Sequence, residues 1–192
     1  MTAAIRIKVL LPFAMYGADG RTVRLPTRKS RALLAYLADH PGRRFTRDHL
    51  GALLWGGQPD AQARQSLRQA LSTLRQAAGA GVIMADTDYV CCPADSVERD
   101  VHDFESFRRL DTLDAADQAE RIYAGEFLDR FELGQPGFDE WRDAERTPLK
   151  EISRRNLASS SDAATTPTSA VPSRQRTCRP SMIRSTKMFT AP

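Results

Sequence analysis

Residues 60–78 constrain the fold of this chain more than any other segment. Leucine and alanine recur there at helical spacing and cover one continuous arc, which predicts a helix with one buried face. The opposite side carries Arg, Gln, Ser and Thr, and no Asp or Glu occurs from Ala61 to Ala85. A solvated helix of this length would ordinarily carry acids that pair with its arginines. Arg and Gln are side chains that reach base edges and phosphates, so this face indicates a surface for nucleic acid.

Two predicted helices precede this segment and a predicted hairpin follows it. Residues 28–40 form the first helix, and Thr46 caps a second helix that ends near Gly56. Residues 82–85 and 89–92 flank a polar tip and predict the two strands of the hairpin. Three helices and a hairpin, with a basic third helix, are typical of a winged helix-turn-helix, whose third helix enters the major groove.

Three short strands are predicted before the first helix. Residues 5–9 alternate apolar and basic side chains, and residues 13–16 and 22–25 lie on either side of a Gly-containing turn. Neighbouring strands of this length predict a small antiparallel sheet at the N-terminal end of the chain. The fold class predicted for the first part is therefore α+β.

The net charge of +4 conceals an asymmetry along the chain. Residues 1–85 carry a net charge of +9, residues 86–158 carry −9 and residues 159–192 carry +4. A basic part joined to an acidic part suggests a polyanion-binding unit on a body with another role. With no apolar run long enough to span a bilayer, and only three cysteines, the chain is expected to lie in the cytoplasm.

Acidic helices are predicted from Asp100 onward. Val101, Phe104 and Phe107 are spaced by three, and similar apolar patterns continue to Leu157, as a helix pair or as one helix broken near Pro148. This pattern is typical of helix hairpins, which need several units to bury a shared core. We expect an all-α, tetratricopeptide-like domain that is incomplete, with about one and a half units present.

Several segments in fixed order resemble a known family. The winged-helix part resembles the DNA-binding half of SARP-like antibiotic regulatory proteins, through LPTRKSRALLAYLADHPG (25–42), RDHLGALLWG (47–56) and ARQSLRQALSTLRQA (63–77). The acidic part resembles the start of the bacterial transcriptional activator domain that follows it, through RDVHDFESF (99–107), YAGEFLDRF (123–131) and FDEWRDAER (138–146). The resemblance implies an OmpR/PhoB-type winged helix with a four-stranded sheet before its first helix. It also implies a regulator that binds double-stranded promoter DNA, often as a homodimer, and contacts RNA polymerase.

The resemblance also implies which residues contact DNA. The positions that match the family's recognition helix are Arg64, Gln65, Arg68, Gln69, Ser72, Thr73 and Arg75. Secondary candidates for contacts to phosphate are Lys29, Arg43, Arg44 and Thr87. The chain departs from receiver-bearing relatives because no receiver domain precedes Ile5, so phosphorylation of an aspartate in cis is not expected to control it.

The predicted organisation has three parts: a winged-helix DNA-binding domain at 1–97, a truncated helical activator domain at 98–158, and a tail at 159–192. The tail contains 21 Ser, Thr, Pro and Ala residues out of 34, a composition typical of disorder. It also begins abruptly inside a helical repeat. One hypothesis is a frameshifted product, since Met182 to Pro192 can read DPLDEDVHRA in the preceding frame; the alternative is a natural linker.

An enzymatic function has little basis in the sequence. His40, His49 and His102 lack metal-ligand spacing, and no motif for nucleotide binding or acyl transfer is present. We expect no catalytic residue, metal or cofactor, and no membrane partner. The alternative function is a protein–protein adaptor whose basic winged helix binds an acidic partner.

Overall fold

The computed structural model describes residues 5–110 and 112–163, with the backbone alone at 113 and 155–163. The strands are β1 (Ile5–Lys8), β2 (Ala14–Tyr16), β3 (Phe45–Thr46), β4 (Met84–Ala85), β5 (Tyr89–Cys91) and β6 (Val97–Arg99). The helices are α1 (Arg28–Asp39), α2 (Arg47–Trp55), α3 (Asp60–Ala78), α4 (Asp100–Arg108), α5 (Leu113–Ile122) and α6 (Pro136–Ala163).

The N-terminal sheet differs from the predicted antiparallel one. Its order is β2-β1-β6, and β1 pairs antiparallel with β2 but parallel with β6. The third strand predicted at 22–25 is wrong, since Tyr16 and Thr22 form an isolated bridge there. The second edge of β1 is instead taken by Val97–Arg99, a pairing partner that local periodicity cannot reveal. The four-stranded sheet implied by the resemblance is likewise three-stranded here.

Helices α1, α2 and α3 confirm the predicted pattern closely. The Oγ1 atom of Thr27 accepts a hydrogen bond of 3.0 Å from the backbone N–H of Ser30, and Thr46 caps α2 in the same way. Three leucines of α1, Leu33, Leu34 and Leu37, have no exposed surface. Helix α1 therefore lies at the centre of the winged helix, with α2 and α3 packed against it.

The predicted hairpin forms the wing, which we define as residues 84–91. Strands β4 and β5 pair antiparallel, and β3 adds a third strand on the other side of β5. The strands are shorter than predicted because Val82 and Ile83 are buried in the core before β4 begins. The wing is thus tied directly to the start of α2, which follows β3 without a break.

Helix α6 is one continuous helix, so both arrangements expected from its sequence, a helix pair and one helix broken near Pro148, are wrong. Pro148 lies inside it and supplies no N–H donor, while the Thr147 hydroxyl donates to the carbonyl of Asp143 at 3.1 Å. The helix extends to Ala163, five residues into the segment predicted as a tail. The remainder of that segment, 164–192, lies outside the described residues, so its predicted disorder or frameshift stays a prediction.

The helical segment shares its core with the winged helix. One cluster of buried apolar side chains runs from Ile5 in β1 to Leu149 in α6, and α6 packs against both α2 and α5. The buried Asp100 carboxylate accepts hydrogen bonds from the backbone N–H groups of Val9 and Leu10 at 3.0 and 3.1 Å. Burial raises the pKa of this carboxyl, although the hydrogen bonds oppose the rise. Among the described helices, none is long and apolar enough to cross a membrane.

Candidate nucleic-acid interface

Helix α3 exposes the polar side that its sequence predicted. Its buried face consists of Ala63, Leu67, Ala70, Leu71 and Leu74. The side chains exposed on the opposite face are Arg64, Gln65, Arg68, Gln69, Ser72 and Arg75. Thr73 is half-buried, and its hydroxyl donates to the carbonyl of Gln69 at 3.0 Å, which leaves it less available to a ligand. The structure thus brings six of the seven predicted recognition residues onto one solvent-facing surface.

The arginines of this face make few contacts within the protein. Arg64 forms an exposed ion pair with Asp48 of α2, with an N–O distance of 3.0 Å. Arg68 donates to the side chain of Gln65, and Arg75 donates to the carbonyl of Ala85 in the wing at 3.3 Å. Exposed contacts of this kind contribute little free energy, so the three guanidinium groups can exchange them for a ligand at small cost.

Arg47 is a residue of this surface that the sequence-based selection missed. It lies at the start of α2, and its Nε and Nη2 atoms both donate to the carbonyl of Asp86, at 2.9 and 2.7 Å. Three adjacent open clefts lie along α3, and Arg47 lines all of them, beside Arg64, Arg68 and Arg75. The signal that could have found it is its place in the first turn after the Thr46 cap, at the positive end of the helix dipole.

The wing tip is held together by Asp86. Its carboxylate accepts hydrogen bonds from the backbone N–H groups of Asp88 and Tyr89 and pairs with Arg44 at 2.7 Å. The backbone hydrogen bonds, with the nearby Arg44, hold the pKa of the Asp86 carboxyl below its usual value. Arg44 also lies over the ring of Tyr89, 4.4 Å from its centroid. The tip residue Thr87 is exposed between these anchored positions.

The cations predicted as secondary contacts to phosphate differ in how free their side chains are to bind a ligand. Lys29 lies over the ring of Trp55, 5.1 Å from its centroid, and partial burial lowers the pKa of its ammonium group. Arg43 is exposed and lies 5.0 Å from the ring centroid of Phe45. The linings of the three clefts along α3 do not include Lys29, Arg43 or Arg44. These three cations therefore lie outside the clefts along α3.

Two carboxylates lie in the same cleft as the arginines. Asp48 and Asp88 line it together with Arg47, Arg64 and Arg68. Asp48 is paired with Arg64, whereas the Asp88 carboxylate has no hydrogen-bond or ion-pair partner among the described residues. The cleft thus combines three cations with two anions, which the acid-free stretch from Ala61 to Ala85 could not show by itself.

Comparisons with known proteins agree with this geometry. Residues 20–83 match the family described as transcriptional regulatory protein, C terminal. Over 86 residues the chain is 35% identical to the regulatory protein AfsR of Streptomyces coelicolor; this covers 45% of the chain and 9% of AfsR. The structure resembles that of Mycobacterium tuberculosis EmbR in complex with a low-affinity phosphopeptide, with a TM-score of 0.60. The match covers 83% of this chain and 45% of EmbR, and the sequence identity is 25%.

The matched segment is a winged helix of the OmpR/PhoB type. The sequence likeness to AfsR and the structural likeness to EmbR agree with a winged helix of a transcriptional regulatory protein at residues 20–83. It spans less than half the length of either relative. AfsR is described as a regulatory protein. In the described part of the chain, no group of three or more His, Cys, Asp and Glu side chains is arranged to hold a metal.

Proposed function

We propose that the chain is a sequence-specific DNA-binding regulator and an activator of transcription. The observation that carries this proposal is the face of α3, on which every exposed long side chain is Arg or Gln and which lies open to solvent beside the wing. An α-helix fits the major groove of B-form DNA, and bidentate Arg and Gln contacts discriminate base pairs there. The residues proposed to read or contact DNA in this way are Arg64, Gln65, Arg68, Gln69, Ser72, Thr73 and Arg75.

Contacts to the DNA backbone are proposed for the residues around α3. Arg47 stands at the first turn of α2, where its guanidinium and the positive end of the helix dipole favour a phosphate. Lys29, Arg43, Arg44 and Thr87 extend this role along the same side. Contacts of this kind fix the orientation of the protein on the duplex without reading its sequence.

The domain assignment belongs to the same proposal. Residues 1–97 would form the DNA-binding unit, and residues 98–158 the beginning of a tetratricopeptide-like activator domain that contacts RNA polymerase and supports a homodimer. The similarity to EmbR, which extends over 83% of this chain, supports a helical unit behind the winged helix.

The test is a titration of labelled duplex DNA with the whole chain at several salt concentrations. Binding that depends on phosphates weakens steeply with salt, and Arg68→Ala is expected to cost about 1–3 kcal/mol and to relax the sequence preference. Arg108→Ala provides a matched control, because Arg108 is equally exposed but lies on α4. If no duplex binds even at low salt, the proposal is wrong and the adaptor function is favoured.

A further inference from the structure

An aromatic contact joins the helical segment to the winged helix. The indole of Trp141 in α6 meets the ring of Tyr36 in α1 edge-on, with a centroid distance of 5.0 Å and an interplanar angle of 75°. Phe127 and Phe138 pack around the same indole at 5.6 and 5.1 Å. Among the described residues, the buried Nε1 atom of Trp141 has no hydrogen-bond partner. The indole is therefore held in place by ring packing rather than by a polar contact.

Tyr36 continues this contact towards the DNA-facing side. Its hydroxyl shares a hydrogen bond of 3.0 Å with Nε2 of His49 in the first turn of α2. The imidazole of His49 stacks on Phe45 of β3, with a centroid distance of 5.5 Å and an interplanar angle of 16°. Burial, helped by Arg43 and His40, lowers the pKa of His49, which favours the neutral ring. Side chains from α6, α1, β3 and α2 thus form one set of contacts.

At His49 and Phe45, this set of contacts reaches the surface that we propose for DNA. His49 lies two residues after Arg47, which lines all three clefts along α3. Phe45 pairs with Val90 of the wing, and Arg47 bonds to the carbonyl of Asp86 in the wing. A displacement of the first turn of α2 would therefore displace Arg47 and the wing together.

We propose that Trp141 and Tyr36 are positioning residues for DNA binding: through His49 and Phe45 they hold the first turn of α2, and hence Arg47 and the wing, in the binding geometry. The inference rests on the proposed function. A binding surface keeps its geometry only when a second layer of packed side chains supports it. In this chain part of that layer comes from α6, so the helical segment takes part in DNA recognition without touching DNA.

The experiment compares dissociation constants of the full chain and its variants for one duplex, selected by the wild-type chain from a random pool. All measurements are made where circular dichroism shows each variant fully folded, so that lost stability alone leaves the affinity unchanged. Tyr36→Phe removes the hydroxyl but keeps the ring, and is expected to weaken binding about 2–10-fold. Trp141→Leu is expected to weaken it similarly. The double variant should lose less binding free energy than the sum of the two single losses, because both residues act through the same contacts.

Phe104→Leu is the matched control. Phe104 is fully buried in α4 and contacts Tyr123, but it does not contact Tyr36, Trp141 or His49. This variant is expected to lower the thermal midpoint and to leave the affinity unchanged. Affinities of Tyr36→Phe and Trp141→Leu that match the wild-type value would overturn the inference.

A readout without DNA separates this inference from the proposed function. In Trp141→Leu, the backbone amide resonances of Thr46, Arg47 and Asp48 are expected to shift, whereas in Phe104→Leu they stay in place. If the wild-type chain binds no duplex but these resonances shift, the proposed function fails and the packing part of the inference stands. If the resonances stay in place in both variants, the positioning role is wrong.

Discussion

The exposed face of α3 and the junction between the winged helix and α6 use arginine in opposite ways. On α3, Arg64 and Arg68 are exposed and contact carboxylate or amide side chains at the surface. In α6, the guanidinium of Arg142 is 8% exposed and donates to the carbonyl of Phe131 as well as to two aspartates. Arg146 likewise donates to backbone carbonyls of the loop before α6.

The difference follows from the hydrogen-bond acceptors to which each arginine donates. The loop that Arg142 and Arg146 hold contains Leu128 and Arg130 with φ values of 49° and 54°, a left-handed backbone that leaves carbonyls without regular helical partners. Buried carbonyls need donors, and the two guanidinium groups supply them. The arginines of α3 satisfy no buried group and can therefore bind a ligand. Position in the fold, rather than residue type, separates the structural arginines of α6 from the solvent-facing arginines of α3.

The largest effect that tests this comparison is on stability. Arg142→Ala is expected to lower the free energy of unfolding by about 3–5 kcal/mol, because it leaves a buried carbonyl and a partly buried carboxylate without their donor. Arg68→Ala is expected to change it by at most about 0.5 kcal/mol. Urea denaturation of the two variants measures both values. Equal losses would mean that the arginines of α3 are also structural.

Local patterns in the sequence predicted helices α1 to α3 and the polar face of α3 well. Helical spacing and the caps Thr27 and Thr46 predicted α1 to α3, and the missing acids predicted the polar face of α3. These features depend on residues a few positions apart, which a sequence displays directly. The roles assigned to that face in DNA binding stay predictions.

The junction could not be predicted in the same way. The parallel pairing of β1 with β6, the bonds from Val9 and Leu10 to Asp100, and the contact of Trp141 with Tyr36 join residues that are far apart in the chain. Charge asymmetry suggested two separable units, but opposite surface charge does not divide a shared apolar core. We therefore expect deletion of residues 100–192 to destabilise the winged helix, although the sequence suggested an independent unit.

A smaller expected effect, on DNA affinity, concerns the two acids that line the cleft beside α3. Asp88→Asn is expected to strengthen binding to random-sequence duplex DNA by about 2–5-fold, because it removes an unpaired negative charge from the cleft that holds Arg47, Arg64 and Arg68. The gain should shrink as salt is added. Asp114→Asn is the control, since Asp114 is exposed on α5. Unchanged or weaker binding by Asp88→Asn would show that its carboxylate does not face phosphates.

The smallest expected effect is on thermal stability and concerns Glu145 of α6, which is half-buried at the junction. Burial and the nearby carboxylates of Asp39 and Glu105 raise the pKa of Glu145, although His40 and Arg99 oppose the rise. A carboxyl whose pKa is higher in the folded state stabilises the fold below its unfolded pKa and loses that contribution as pH rises through the folded value. Glu145→Gln is therefore expected to raise the thermal midpoint by about 1–2 °C near pH 7, since solvent screens part of the repulsion.

The same substitution should have no effect well below about pH 4, where Glu145 is protonated in both the folded and the unfolded chain. Thermal unfolding of both chains across this pH range measures the difference. Glu151→Gln serves as a control, because Glu151 is an exposed glutamate on the same helix. A stabilisation by Glu145→Gln that is equal at both pH values would mean that packing of the amide, and not loss of charge beside Asp39 and Glu105, causes it. The junction would then lack the carboxylate repulsion that sets it apart from the cation-rich face of α3.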